Sequence, residues 1–287
     1  MSVLSPVVDA HHHLWDLAVR DQPWTGGLPV LRRSFGMADL LPQLRACGVD
    51  GTVLVQTVTV ADETPELLGV AVQHPEVLGV VGWVDLTSPA VGDELARLQA
   101  LPGGERLVGV RHQVQLEPDP RWLLRHEVLR GLRAVAAAGL AYDLLVVRSQ
   151  LAVAVEVVRR LPELRFVLDH AGKPGIADRE LDPWRTQITA LAQAGQVSAK
   201  LSGLLTEAAA DWSPSDLQPY ADHLLSSFGP HRVMAGSDWP VCLLRADYER
   251  TTAVTRGLLA GLSPAERDAV LGGTAVRSYA LTPARCR

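Results

Sequence analysis

Three consecutive histidines follow the first apolar run of the chain, in the segment Asp9-Ala-His11-His12-His13. Alternate residues of a β-strand face the same side, so His11 and His13 share one face and His12 points away from it. Two imidazoles at this spacing can both bind one divalent metal ion. A histidine cluster on the surface would have the same sequence, so the role of the segment depends on which other residues lie near it in the fold.

Ionisable residues also end the later apolar runs. They are Arg111 and His112, Asp169 and His170, Lys200, and Asp238. Each one alone is compatible with a structural role, such as a salt bridge for Lys200 or an orienting contact for Asp169. Buried together they would be costly unless they pair with one another, with an ion or with a ligand. Their joint placement therefore predicts a functional site.

The elements that must position these residues are short, β-branched apolar runs. Most of these runs are continuous rather than alternating, which is typical of strands covered on both faces, as in a parallel sheet. The eight predicted strands are Val7–His13, Thr52–Val58, Val80–Leu86, Arg106–Val114, Ala141–Val147, Arg165–Gly172, Val197–Gly203 and Val233–Trp239.

Stretches with helical spacing and capping residues fill the gaps between the runs. The predicted helices are Met37–Cys47, Asp62–His74, Leu123–Ala138, Ser149–Leu161, Pro183–Ala194, Ser215–Phe228, Asp247–Leu259 and Ser263–Val270. Eight strand–helix units at this length predict a single (β/α)₈ barrel domain over residues 1–287. A doubly wound sheet is the alternative, but no Gly-x-Gly-x-x-Gly follows the first strand. In a barrel the active site lies at the carboxyl ends of the strands, where the ionisable residues fall.

The composition excludes several classes of protein. The 287 residues are 47% hydrophobic and 21% charged, and the net charge of −5 argues against a nucleic-acid partner. No apolar run reaches the roughly 18–20 residues that span a bilayer, and residues 1–8 lack the basic region of a secretory signal. The three widely separated cysteines suggest no disulfide framework. We expect a cytoplasmic monomer or homodimer with no membrane partner.

Five segments carry a specific likeness: Asp-Ala-His-His-His-Leu-Trp at 9–15, Val-Gly-Val-Arg-His at 108–112, Leu-Asp-His-Ala-Gly-Lys-Pro at 168–174, Lys-Leu-Ser-Gly-Leu at 200–204 and Gly-Ser-Asp-Trp-Pro at 236–240. They resemble the amidohydrolase superfamily, and more narrowly its amidohydrolase-2 branch of sugar-lactone hydrolases, the L-fuconolactonase and L-rhamnonolactonase type. The resemblance spans nearly the whole chain. It implies a (β/α)₈ barrel with a central set of His11, His13, His170 and Asp238.

The sequence departs from the binuclear members of that superfamily. Those members carry a bridging carboxylated lysine or a glutamate on an earlier strand, and a further histidine on the fifth strand. Here the fifth strand has Tyr142 and Asp143, and Lys200 lies on the seventh. A two-metal site is therefore not expected, whereas a one-metal site and a metal-free site both stay open.

Lactone hydrolysis needs an activated water, a polarised carbonyl and a stabilised oxyanion. We expect Asp238 to act as the general base toward the water and then to protonate the leaving ring oxygen. One zinc ion on His11, His13 and Asp238 would polarise the carbonyl. In a metal-free site, His170 and cationic donors would do so instead.

Two groups of side chains are predicted to bind the sugar. Cationic or hydrogen-bonding contacts to hydroxyl groups are expected from Arg111, His112 and Lys173. Stacking against the ring is expected from Trp15, Trp83 and Trp239, with packing in the wall as the alternative.

Other functions compete with this interpretation. The same barrel could hydrolyse a dicarboxylate lactone or decarboxylate an aromatic acid, but such sites need additional cations for the extra carboxylates. A metal-dependent nuclease could also begin with His-x-His, although the net charge disfavours it. A non-catalytic sugar-binding protein would have no need for the full set of histidines and Asp238.

Overall fold

The computed structural model describes residues 6–282 of the chain. Eight parallel strands pair in sequence order, from β1 to β8. They are β1 (Val8–His12), β2 (Gly51–Val55), β3 (Val77–Gly82), β4 (Leu107–His112), β5 (Ala141–Leu144), β6 (Arg165–Leu168), β7 (Val197–Leu201) and β8 (Val233–Ala235). Nearly every strand residue is buried, as the continuous apolar runs predict.

The first and last strands meet through the segment that follows β8. The amide of Asp238 donates to the His11 carbonyl at 2.8 Å, and the amide of His13 donates to the Trp239 carbonyl at 2.7 Å. These bonds join the two ends of the sheet, so the predicted (β/α)₈ barrel is confirmed. They also bring residues 11 and 238, far apart in sequence, to one place.

Helices cover the outside of the sheet. The described residues form α1 (Met37–Ala46), α2 (Glu63–Gln73), α3 (Val91–Gln99), α4 (His126–Ala137), α5 (Leu151–Arg160), α6 (Trp184–Ala192), α7 (Leu204–Glu207), α8 (Pro214–Phe228), α9 (Tyr248–Leu258), α10 (Pro264–Asp268) and α11 (Thr274–Ser278). None of these helices has the length and apolar character needed to cross a membrane.

Three differences from the predicted elements matter here. Helix α3 was not predicted, although Val91, Leu95 and Leu98 repeat at helical spacing and are buried. Gly92, a poor helix former, weakens that pattern in the first turn. The predicted strands at 165–172 and 233–239 are too long, because β6 and β8 end at Leu168 and Ala235 and the remaining residues form turns. Those turns carry the candidate site.

The C-terminal helix contributes to the barrel itself. Ala275 of α11 and the next buried aromatic residue, Tyr279, pack against strand residues that include Val53, Val81 and Met234. The Tyr279 hydroxyl donates to the Asp143 carboxylate of β5 at 2.7 Å. Helix α11 and Tyr279 therefore support the buried polar residues of the barrel.

Candidate active site

Three histidines surround one carboxylate oxygen at the carboxyl ends of the strands. Oδ1 of Asp238 lies 3.7 Å from Nε2 of His11, 3.5 Å from Nε2 of His13 and 3.9 Å from Nε2 of His170. All four side chains are at least nine-tenths buried. The four residues that the resemblance singles out therefore converge, as the sequence analysis expects.

Two of these residues are aimed by unusual backbone conformations. His170 has φ of 51° in the turn after β6, and Asp238 has φ of 58° after β8. Left-handed backbone is unfavourable for residues with a Cβ, and such positions cluster at functional sites. A neighbouring glycine makes room for the imidazole, because a Cβ on Gly203 would lie 2.7 Å from Nδ1 of His170.

Asp9 holds the turn that carries Asp238. Its carboxylate accepts the Ser237 amide at 2.8 Å, the Ser237 hydroxyl at 2.6 Å and the Tyr248 hydroxyl at 3.0 Å. Asp9 belongs to the first of the five motifs, and no role was predicted for it from the sequence. The structure places it as the link between the start of the chain and the turn after β8.

The ionisation of the central groups suits base catalysis. Burial acts to raise the pKa of Asp238, but the imidazoles of His170 and His13 and the Lys173 ammonium outweigh it and hold that pKa below its usual value. Burial lowers the pKa of His170 to about 4. At neutral pH the site therefore holds an ionised carboxylate beside a neutral imidazole.

A network of buried charges lies directly behind the histidines. Nζ of Lys200 is 2.6 Å from Oδ2 of Asp143, 3.0 Å from Oδ1 of Asp169 and 3.1 Å from Nδ1 of His11. Arg111 contacts the other oxygen of Asp169 at 3.0 Å. Two cations balance two carboxylates, which is the condition under which such a cluster can be buried.

Arg111 is fully engaged within this network. It is 3% exposed, and its guanidinium donates to the Gln56 side chain at 2.8 and 3.0 Å as well as to Asp169. Its Nη1 also lies 3.3 Å from Nε2 of His11. The structure therefore places Arg111 at the base of the cavity with its donors already bonded to protein groups.

A cavity of about 270 Å³ opens above the central set. His13, His170, Arg111 and Asp238 contribute to its lining, and Lys173 joins them from the turn after β6. A larger cavity of about 420 Å³, beside Trp15 and α2, contains none of the four central residues. The smaller cavity is therefore the candidate substrate site.

The other predicted sugar-binding residues lie outside this cavity lining. Trp15 donates to the Arg33 carbonyl at 2.7 Å, and Trp239 is 1% exposed. Trp83 donates to Nδ1 of His112 at 3.0 Å. His112 in turn stacks on the Trp122 ring at 4.1 Å between centroids and contacts Glu117 at 2.7 Å.

Sequence reasoning missed several residues that do line the cavity. They come from the connections that follow the strands: Trp24, Thr57, Gln113, Gln115, Thr206 and Glu207. Oε1 of Gln115 is buried and has no hydrogen-bond partner among residues 6–282, so it offers an acceptor. Lysine occurs only at positions 173 and 200, and both lie at this end of the barrel.

The donor set of His11, His13 and Asp238 fits a single zinc ion. Nε2 of His11 and Nε2 of His13 are 3.1 Å apart, and each lies within 3.7 Å of the Asp238 oxygen. Donor atoms about 3.3–3.6 Å apart are expected around a tetrahedral zinc ion. Nδ1 of His13 bonds to the Val55 carbonyl at 2.8 Å, which leaves the Nε2 lone pair free to bind a metal.

A second group of possible ligands, His11, Asp169 and His170, is less suited to a metal ion. Lys200 and Arg111 already contact the two oxygens of Asp169. A metal ion at this position would therefore have to compete with Lys200 and Arg111 for the Asp169 carboxylate.

Comparison with known proteins identifies the family to which this barrel belongs. The family model described as Amidohydrolase matches residues 8–281, and the chain belongs to this family. Two curated proteins named L-fucono-1,5-lactonase are similar to it. The one from Burkholderia multivorans is 39% identical over 96% of both chains. The one from Burkholderia ambifaria is 36% identical over 95% of this chain and 94% of its own.

A solved structure supports the same relationship. The crystal structure of an amidohydrolase from Burkholderia multivorans with bound zinc superposes with a TM-score of 0.92 and 38% identity. It covers 97% of this chain and 100% of the crystallised one. The fold is therefore shared with this amidohydrolase over nearly the full length of both chains.

Proposed function

We propose that this chain is a sugar-lactone hydrolase and that L-fucono-1,5-lactone is the substrate to test first. The observation that carries the proposal is the Asp238 carboxylate, faced by three imidazole nitrogens within 3.9 Å at the floor of a cavity. The names of the two curated relatives support the choice of substrate, because the similarity extends over nearly all of each chain.

The proposed reaction begins with a water molecule held against Asp238. The carboxylate accepts a proton from the water as its oxygen attacks the lactone carbonyl carbon, C1. When the bond between C1 and the ring oxygen breaks, Asp238 returns that proton to the ring oxygen. One water is consumed, and the product is the open-chain hydroxy acid.

His170 is proposed to stabilise the charge that develops on the carbonyl oxygen. Its Nδ1 lies 3.0 Å from the Ser202 hydroxyl. A neutral imidazole that accepts this hydroxyl at Nδ1 carries its proton on Nε2, which is the nitrogen that faces Asp238. Because burial keeps the ring neutral at pH 7, it donates a hydrogen bond without carrying a net charge.

His11, His13 and Asp238 are the residues that would hold a zinc ion in this chain. When bound there, zinc supplies Lewis acidity and makes water easier to deprotonate. Arg111 is assigned to holding Asp169 in place, since its donors are engaged with the Gln56 side chain and the Asp169 carboxylate. Lys173 is assigned to substrate hydroxyl groups.

A dicarboxylate lactone or an aromatic acid fits this cavity less well. Those substrates require cations that are free to bind carboxylates. Of the two described cations in the lining, Arg111 is bonded to protein groups and Lys173 lies 3.7 Å from Glu207. A cytoplasmic location and the choice between monomer and homodimer stay predictions.

The test is acid release from freshly prepared L-fucono-1,5-lactone at pH near 8, corrected for spontaneous opening. The purified protein should accelerate opening, and Asp238→Asn should lower kcat by about 10²–10⁴-fold while its circular dichroism stays unchanged. Near wild-type turnover in Asp238→Asn would refute the assigned base. No acceleration by the wild-type protein on any sugar lactone would refute the proposed function.

A further inference from the structure

The cavity wall differs in character from one side of the barrel to another. Strand order places the loops after β8 and β1 next to each other. The residues that these loops contribute above the central set are Trp24, Val241 and Leu244, all half-buried and all apolar. We call these three residues the apolar sector.

The apolar sector is anchored by contacts to the backbone of Asp238 and to the side chains of Gln22 and Trp15. Val241 and Leu244 belong to one short turn, and the Cys242 amide in this turn donates to the Asp238 carbonyl at 2.9 Å. The Trp24 indole donates to the Gln22 side chain at 2.8 Å. A second contact, edge to face against Trp15 at 5.4 Å, fixes the plane of the Trp24 ring.

The loops after β6 and β7 contribute polar groups instead. Lys173 and Glu207 lie 3.7 Å apart, and Thr206 stands beside Glu207. An ammonium group has three donors and a carboxylate has about four acceptor sites, so both keep capacity for hydroxyl groups beyond their mutual contact. This side suits neighbouring hydroxyl groups on a sugar ring.

The chemistry of a 1,5-lactone relates these two sides to the substrate. Asp238 must face the carbonyl carbon and the ring oxygen, because it delivers a proton to that oxygen. C5 is bonded to the ring oxygen and carries C6, so C6 is only two bonds from the atom that Asp238 protonates, and the turn that follows Asp238 carries Val241 and Leu244. The C2, C3 and C4 hydroxyl groups then extend toward other parts of the wall.

We propose that the apolar sector binds C6 as a methyl group and thereby selects 6-deoxy sugar lactones, while Lys173 and Glu207 bind ring hydroxyl groups. This inference rests on the proposed lactone hydrolysis and specifies which lactones the site prefers. A 6-hydroxyl group placed against Trp24, Val241 and Leu244 would lose its hydrogen bonds to water and find no partner there.

The test compares two lactones that differ only at C6. L-Fucono-1,5-lactone has a methyl group, and L-galactono-1,5-lactone has a hydroxymethyl group in its place. The wild-type kcat/KM should favour the 6-deoxy lactone by about 10–100-fold, the range by which an apolar pocket rejects an added hydroxyl. Leu244→Asn and the nearly isosteric Val241→Thr should each reduce this ratio, mainly through the 6-deoxy substrate.

Leu116→Asn is the matched control, because Leu116 is an apolar residue of the cavity wall on the β4 side. It should leave the ratio unchanged. Equal wild-type kcat/KM values, or an equal loss on both lactones in Leu244→Asn and Val241→Thr, would overturn the selection by the apolar sector and leave lactone hydrolysis standing. Failure of the wild type to open either lactone would instead overturn the proposed function beneath it.

Discussion

Replacement of Lys200 by methionine is expected to cost much of the stability of the fold. The ammonium is fully buried and contacts Asp143 at 2.6 Å and Asp169 at 3.0 Å. At an effective dielectric constant of about 20, each contact of this length is worth roughly 5.5–6.5 kcal/mol before desolvation is counted. Because methionine removes the positive charge and leaves two buried carboxylates with Arg111 alone, we expect a net loss of about 3–5 kcal/mol.

The pH dependence of this loss has a definite sign. Burial raises the pKa of Asp143, and Lys200 opposes that shift. Without Lys200 the pKa rises further above its unfolded value. A carboxyl group with a raised native pKa costs stability as the pH rises from the unfolded toward the native value. The deficit of Lys200→Met should therefore be smaller near pH 5 than at pH 8.

Urea unfolding of wild type and variant at both pH values measures these effects. The matched variant Lys200→Met/Asp143→Asn removes one charge of each sign and keeps an acceptor for the Tyr279 hydroxyl. It should recover most of the lost free energy of unfolding. A Lys200→Met protein within about 1 kcal/mol of wild type at pH 8 would refute the reasoning, because exposed ion pairs contribute that little.

Three further predictions concern the site. If the purified wild-type protein contains zinc, elemental analysis should find none in His13→Ala, since Nε2 of His13 is one of the three proposed ligand atoms. Retention of one equivalent would contradict that ligand set. His112→Phe should keep the stacking on Trp122 and leave KM unchanged, because His112 lies outside the cavity lining. A large rise in KM would instead support the contact between His112 and the substrate that the sequence predicts. A sugar lactone or its hydroxy-acid product should protect the Lys173 amine from acylation, as measured by mass spectrometry of the peptide that contains Lys173. Equal labelling with and without ligand would exclude contact between Lys173 and the ligand.

The sequence was sufficient to predict the site residues on the first strand and directly after it. His11 and His13 follow from the alternation of a strand, and their meeting with Asp238 follows from a barrel whose first and last strands adjoin. His170 and Asp238 were expected at strand ends and lie instead in left-handed turns just beyond them. Although the predicted strands were too long, these residues were still predicted at the correct end of the barrel.

The cavity residues that the sequence did not predict lie in the connections that follow the strands. Trp24 lines the cavity, whereas Trp15, Trp83 and Trp239 do not, because no periodic pattern specifies which way a loop turns its side chains. Glu207 belongs to the four-residue helix α7, too short to show helical spacing. Arg111 was correctly placed at a strand end, but its bonds to Gln56 and Asp169 depend on the register of three strands, which charge patterns do not reveal.

The most direct measurement of the central claim is the fate of oxygen during turnover in ¹⁸O-labelled water. If water activated at Asp238 attacks the lactone carbonyl, one labelled oxygen enters the carboxylate of the product at the enzymatic rate, and Asp238→Asn retains only the spontaneous rate. Label found at the C5 hydroxyl, or incorporation no faster than in buffer alone, would contradict the account.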